Sequence, residues 1–142
     1  MNMVELISKF GRVVKQHLEN QYVIWLTTVD SNLAPQPRPV WFIWEADSFL
    51  IFSQAKAHKV RHIAKNPKVA LHFNSDETGD QHVIVFIGKA SIDTNSPPAH
   101  KVAAYFNKYK DGIAGLDMTP EEFSHEYSTA IRIKPTEVRG WE

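Results

Sequence analysis

The chain has no cysteine among its 142 residues. A disulfide framework, a thiolate metal centre and a cysteine nucleophile are therefore all excluded. Glycine is scarce: six scattered residues supply neither a P-loop nor a GxGxxG turn for a nucleotide phosphate. No apolar run approaches the roughly 18 residues of a membrane span. The N-terminus shows no signal-peptide core, so a cytoplasmic protein is expected. Net charge is also missing. Sixteen Lys/Arg balance sixteen Asp/Glu, and no whole-molecule field gathers nucleic acid or an anionic membrane. The seven histidines include no HExxH, and the i, i+4 pair His58 and His62 alone makes too few ligands for zinc. No metal site is expected, and no Ser-His-Asp order occurs.

What is present suits a single domain over 1–142, with 43% apolar residues, 23% charged and no internal repeat. Apolar residues at helical spacing from Val4 to Leu18 predict an amphipathic helix over 3–19. β-Branched and aromatic runs predict strands over 22–29, 39–44, 48–53 and 69–73, and a long one over 82–93 bent at Gly88. Pro97-Pro98 introduces a helix carrying Val102, Phe106 and Tyr109 on one face. Thr119-Pro120-Glu121-Glu122 starts another, with an N-cap hydroxyl, proline at N1 and glutamate at N3. Alternation over 129–134 predicts the last strand. Six short strands joined mostly by turns, with helices at the ends, point to a mainly β fold: an antiparallel split barrel with flanking helices.

Charge is distributed unevenly. Residues 1–72 hold nine Lys/Arg against five Asp/Glu. From Gln54 to Lys68 there are five Lys/Arg, two His and no acid, on a helix expected over 56–65 and stopped by Asn66-Pro67. A strand running into such a helix places hydroxyl, ammonium and guanidinium groups together, which suits a phosphate. The same pattern also describes solvated charges on a surface helix.

Three segments carry a family resemblance. They are Pro35-x-Pro37-x-Pro39-Val40-Trp41-Phe42, Ser53-Gln54 followed by Lys59-Val60-Arg61-His62-Ile63, and Asn66-Pro67-Lys68-Val69-Ala70-Leu71. With the ending Ile131-Arg132-Ile133-Lys134-Pro135-Thr136-Glu137-Val138-Arg139-Gly140-Trp141, they resemble the pyridoxamine-phosphate oxidase-like, FMN-binding split-barrel family. The likeness runs from about Val23 to the end, and within the family it is greatest to the short deazaflavin (F-420 type)-dependent oxidoreductases.

The resemblance implies a homodimer with two flavin-type sites in the subunit interface. Arg38, Pro39, Val40, Trp41 and Phe42 would lie along the edge of the cofactor ring. Ser53, with Lys59 and Arg61, would hold its phosphate, Gln54 and His58 would belong to the same cofactor site, and Trp141 would dock over the cofactor of the other subunit. Lys108 and Lys110 fall outside this site. Two departures are visible. His58 stands where the oxidase has an arginine, and Val83 stands where it has a ring-contacting glutamine, with Gln81 out of register. Counterparts of the substrate-phosphate residues are also missing, so pyridoxamine-phosphate oxidation is not expected.

Two classes of function follow. One is an oxidoreductase in which bound FMN, or alternatively the deazaflavin, exchanges a hydride with a small conjugated substrate. The other is a non-catalytic flavin- or haem-binding protein. No obligatory acid–base residue is visible, and hydride transfer needs chiefly proximity and orientation.

Overall fold

A computed structural model describes residues 9–141. Helix α1 (Lys9–Asn20) buries Val14 and Leu18; the start of the helix predicted over 3–19 lies outside the described residues. Seven strands follow: β1 (Val23–Val29), β2 (Pro35–Trp41), β3 (Ile43–Glu45), β4 (Ser48–Ser53), β5 (Lys68–His72), β6 (Val83–Ile92) and β7 (Thr129–Trp141). Helix α2 (His58–Lys65) links β4 to β5. A 3-10 turn (Ala99–Lys101), α3 (Ala103–Gly115) and α4 (Pro120–Glu126) lie between β6 and β7.

All pairings are antiparallel, in the order β2-β1-β5-β6-β7-β4-β3. β2 and β3 stand at opposite edges of that order, yet only Phe42 separates them in the chain. One residue spans at most about 3.6 Å, so the sheet must roll until its edges meet at Phe42. The result is a β-barrel with one unpaired seam.

The expected six strands become seven because the strand predicted over 39–44 breaks at this residue. The cause lies 67 residues away. The Phe42 N–H donates to the Tyr109 hydroxyl at 2.8 Å, and the Phe42 carbonyl accepts from that hydroxyl at 2.8 Å and from the Lys108 ammonium at 3.0 Å. A helix thus satisfies main-chain groups that a neighbouring strand would otherwise pair. The free side of β2 is tolerable for a related reason. Its prolines at 35, 37 and 39 alternate, so the positions that cannot donate all face away from β1.

Two cores share the sheet. Inside the barrel, Phe42, Phe49, Leu71, Phe86 and Ile133 are fully buried with Ile24 and Leu26. Outside it, Leu50 and Phe52 pack with Tyr105, Tyr109, Ile113 and Phe123 of the helical layer. β4 is therefore buried along its whole length, which explains a near-continuous apolar run where a half-exposed strand would alternate. The capping box predicted at Thr119 forms, with the Glu122 N–H donating to the Thr119 hydroxyl at 3.1 Å.

The last strand is longer than the alternation over 129–134 predicts. It runs on through Pro135 to Trp141 because a bulge absorbs the proline. Gly88 pairs with Pro135 and Ile87 with Glu137, leaving Thr136 as the extra residue, and its hydroxyl donates to the Ile87 carbonyl at 3.1 Å. Gly88 is required at this crossing: a Cβ there would stand 2.5 Å from the Lys134 carbonyl oxygen.

Candidate functional site

The strand–helix junction predicted from the basic stretch is present. β4 ends at Ser53, four residues turn, and α2 starts at His58 rather than at 56. Ala57 at the N-cap offers no capping side chain, so the leading amides of α2 have no side-chain acceptor. Ser53 is buried at the strand end, and its hydroxyl donates to the Gln54 carbonyl at 3.1 Å. The Gln54 amide donates to Glu126 at 2.9 Å, which ties the junction to α4.

A cavity of about 510 Å³ opens beside this junction. β2 contributes Pro39, Val40 and Trp41, and the junction contributes Phe52, Ser53, Gln54, Ala57 and Lys59. The helical layer adds Tyr105, Leu116, Phe123 and Tyr127, and Val23 completes the lining. The volume falls in the range of about 300–1,000 Å³ usual for cofactor and small-molecule sites.

Trp41 is held flat in the wall. Its ring stacks on Tyr109 at 4.7 Å between centroids, 6° from parallel, and on Phe123 at 5.8 Å. Gly112 makes room for it, since a Cβ there would approach the indole to 3.0 Å.

Lys59 is the charged group of the cavity. Burial first, and repulsion from the Arg38 guanidinium second, hold its ammonium below the ordinary lysine range. Among the described residues no carboxylate forms an ion pair with Lys59 or Arg38. Two neighbouring cations, one half-buried and neither neutralised, are a donor set for an anion.

Six of the eleven sequence-predicted residues thus line one cavity: Pro39, Val40, Trp41, Ser53, Gln54 and Lys59. Arg38 stands outside the lining but close enough to act on Lys59. His58 and Arg61 are exposed on α2 and bond to each other at 2.6 Å, with Arg61 also donating to the Lys56 carbonyl. Neither lines the cavity. Phe42 is fully buried in the barrel core, and Tyr109 and Lys108 engage its main-chain groups.

Trp141 ends β7, paired with Val83 twelve positions along the strand from Thr129, which faces Ser53. It is half-exposed, and its indole N–H donates to the Asp80 carbonyl. Within one chain it is therefore remote from the cavity.

Sequence reasoning missed the wall supplied by Tyr105, Leu116, Phe123 and Tyr127. Tyr105 with Tyr109, and Phe123 with Tyr127, are i, i+4 aromatic pairs, which read as helix core. The signal beside them is Gly112, a glycine inside a helix whose only evident use is to admit a large ring.

Solved structures share the fold at low identity. A conserved hypothetical protein of Mycobacterium tuberculosis, Rv2991, is 17% identical over 100% of this chain and 85% of its own, with a TM-score of 0.74. An F420 reductase is 20% identical over 93% and 97%, with a TM-score of 0.66. HutZ, the haem storage protein of Vibrio cholerae, is 17% identical over 93% and 94%, with a TM-score of 0.69. No curated protein matches the chain. Residues 10–142 match the family described as pyridoxamine 5'-phosphate oxidase, and the chain belongs to that family.

Proposed function

We propose that this protein is an oxidoreductase whose cavity holds FMN, or the F-420 type deazaflavin in its place, against a small conjugated substrate. The observation that carries this reading is the meeting, in one cavity, of the β2 edge, the β4–α2 junction and the unneutralised Lys59. Both cofactors combine a flat tricycle with a ribityl phosphate, and the residues present fit that pair of features. Lys59, supported by Arg38 and the Ser53-Gln54 turn, would hold the phosphate. The main chain of Pro39, Val40 and Trp41 would meet the ring edge.

When bound, the cofactor supplies the hydride chemistry. The chain's own work is to bind and to orient. Trp41, fixed between Tyr109, Phe123 and Gly112, gives a rigid planar wall. Phe52, Leu116 and Phe123 give the remaining space an apolar lining. A homodimer with sites in the interface completes the reading, with the exposed Trp141 docking on the second copy.

Haem binding in this cavity fits less well. Among the described residues no histidine lines it. The test is to titrate the apoprotein with FMN and with the deazaflavin, reduce the complex anaerobically and add quinone or enone acceptors. Reoxidation by an acceptor supports the enzyme. Tight binding without reoxidation would mean a storage or sensing protein, and failure to bind either cofactor would end the reading.

A further inference from the structure

Tyr105 and Tyr109 stand one turn apart on α3, and both are buried, to 1% and 0% exposure. Their hydroxyls fare differently. That of Tyr109 meets the Phe42 N–H, the Phe42 carbonyl and the Tyr22 carbonyl. The Tyr105 hydroxyl has no hydrogen-bond partner among the described residues. Its ring is boxed by aromatics: Phe52 at 4.8 Å edge-on, Tyr109 at 4.8 Å and Phe123 at 6.3 Å. Of the two tyrosines, only Tyr105 lines the cavity.

A buried hydroxyl without a partner carries an uncompensated desolvation cost, and such groups in folded proteins generally have a reason. A phenylalanine would fill the same box without that cost. Burial above all, with Tyr109 and Tyr127 nearby, pushes the phenol well above the ordinary tyrosine range. The group therefore keeps its proton at every working pH and is a donor to a neutral acceptor, not a base.

We infer that the Tyr105 hydroxyl donates a hydrogen bond to a carbonyl-type oxygen of the molecule bound in this cavity. Two sources offer that chemistry: a conjugated carbonyl substrate, or the carbonyls of the cofactor ring. The inference names a polar contact within the cavity proposed above and deepens that reading. In the substrate case the contact polarises the carbonyl and favours hydride addition to the conjugated system. A bound reduced cofactor would supply the hydride and solvent the proton that completes the reduction, so Tyr105 need not give up its own.

The test compares wild type with Tyr105→Phe, which removes one oxygen and nothing else. Binding of menadione and of 2-methylnaphthalene, alike in shape but differing in their carbonyls, is followed by quenching of tryptophan fluorescence. FMN is titrated in parallel. The free variant should unfold at the same temperature as wild type or higher. Its affinity for menadione or for FMN should fall about three- to tenfold, with 2-methylnaphthalene unaffected. A loss confined to menadione assigns the bond to the substrate, and a loss confined to FMN assigns it to the cofactor.

Unchanged affinity for both carbonyl ligands overturns the inference, as does a less stable free variant with affinities intact. If the variant fails to fold, wild type still decides: equal affinity for the quinone and the hydrocarbon, with none for FMN, overturns it. Because the quinone arm runs without cofactor, failure of the flavin reading is told apart from failure of this one.

Discussion

The hydroxyl of Tyr109 lies 2.8 Å from both the amide nitrogen and the carbonyl oxygen of Phe42, and so holds the barrel seam from outside the barrel. The same hydroxyl reaches the Tyr22 carbonyl at 2.6 Å, and the same ring backs Trp41 in the cavity wall. Fold closure and site geometry thus converge on one side chain. Tyr109→Phe keeps the stacking but leaves the buried Phe42 N–H unpaired. It should cost about 1–3 kcal/mol of stability, read as a lower urea midpoint at unchanged slope.

Lys108 extends the same clasp and carries a pH dependence. Its ammonium donates to the Phe42 carbonyl at 3.0 Å and sits 3.9 Å above the Phe42 ring. Burial lowers its pKa from the ordinary 10.5 to about 8. Between those values the unfolded chain binds a proton that the folded chain has released, so stability from this group rises with pH. Its cost is fully present below about pH 8 and is relieved towards pH 10.5. Urea midpoints of wild type and Lys108→Met across this window should show a rise in wild type that the variant lacks. Parallel curves would contradict the assignment.

The cavity wall gives a third prediction. In Gly112→Ala the new methyl meets the Trp41 indole at 3.0 Å. Alanine favours the helix by about 1 kcal/mol, so overall stability should change little while Trp41 is displaced. FMN should bind the variant more weakly, and the tryptophan emission should shift. Unchanged affinity would mean that Trp41 does not shape the site.

Local chemistry made much of this legible from sequence. The Thr119 capping box, the stop at Asn66-Pro67 and the Ser53–Lys59 junction each depend on residues a few positions apart, and each is found in place. What stayed hidden depends on distant partners. The break at Phe42 needs Tyr109 and Lys108, and the passage of β7 through Pro135 needs Gly88 opposite. Lys108, expected only to fall outside the cofactor site, fastens the seam. The aromatic wall was hidden for another reason: Tyr105 and Phe123 belong both to a core and to a cavity, and periodicity reports only the first. Phe42 shows the converse, since a residue adjacent to the ring-edge strand in sequence is turned into the barrel by one step of alternation.

The central claim is that Lys59 anchors a phosphate, and its most direct measurement is calorimetric titration of apoprotein with FMN and with riboflavin, for wild type and Lys59→Ala. Loss of a contact to a charged group is worth about 1.5–3 kcal/mol. FMN should therefore lose roughly tenfold or more in affinity, while riboflavin, which lacks the phosphate, changes little. Equal losses for the two ligands would make Lys59 a structural residue and contradict the account.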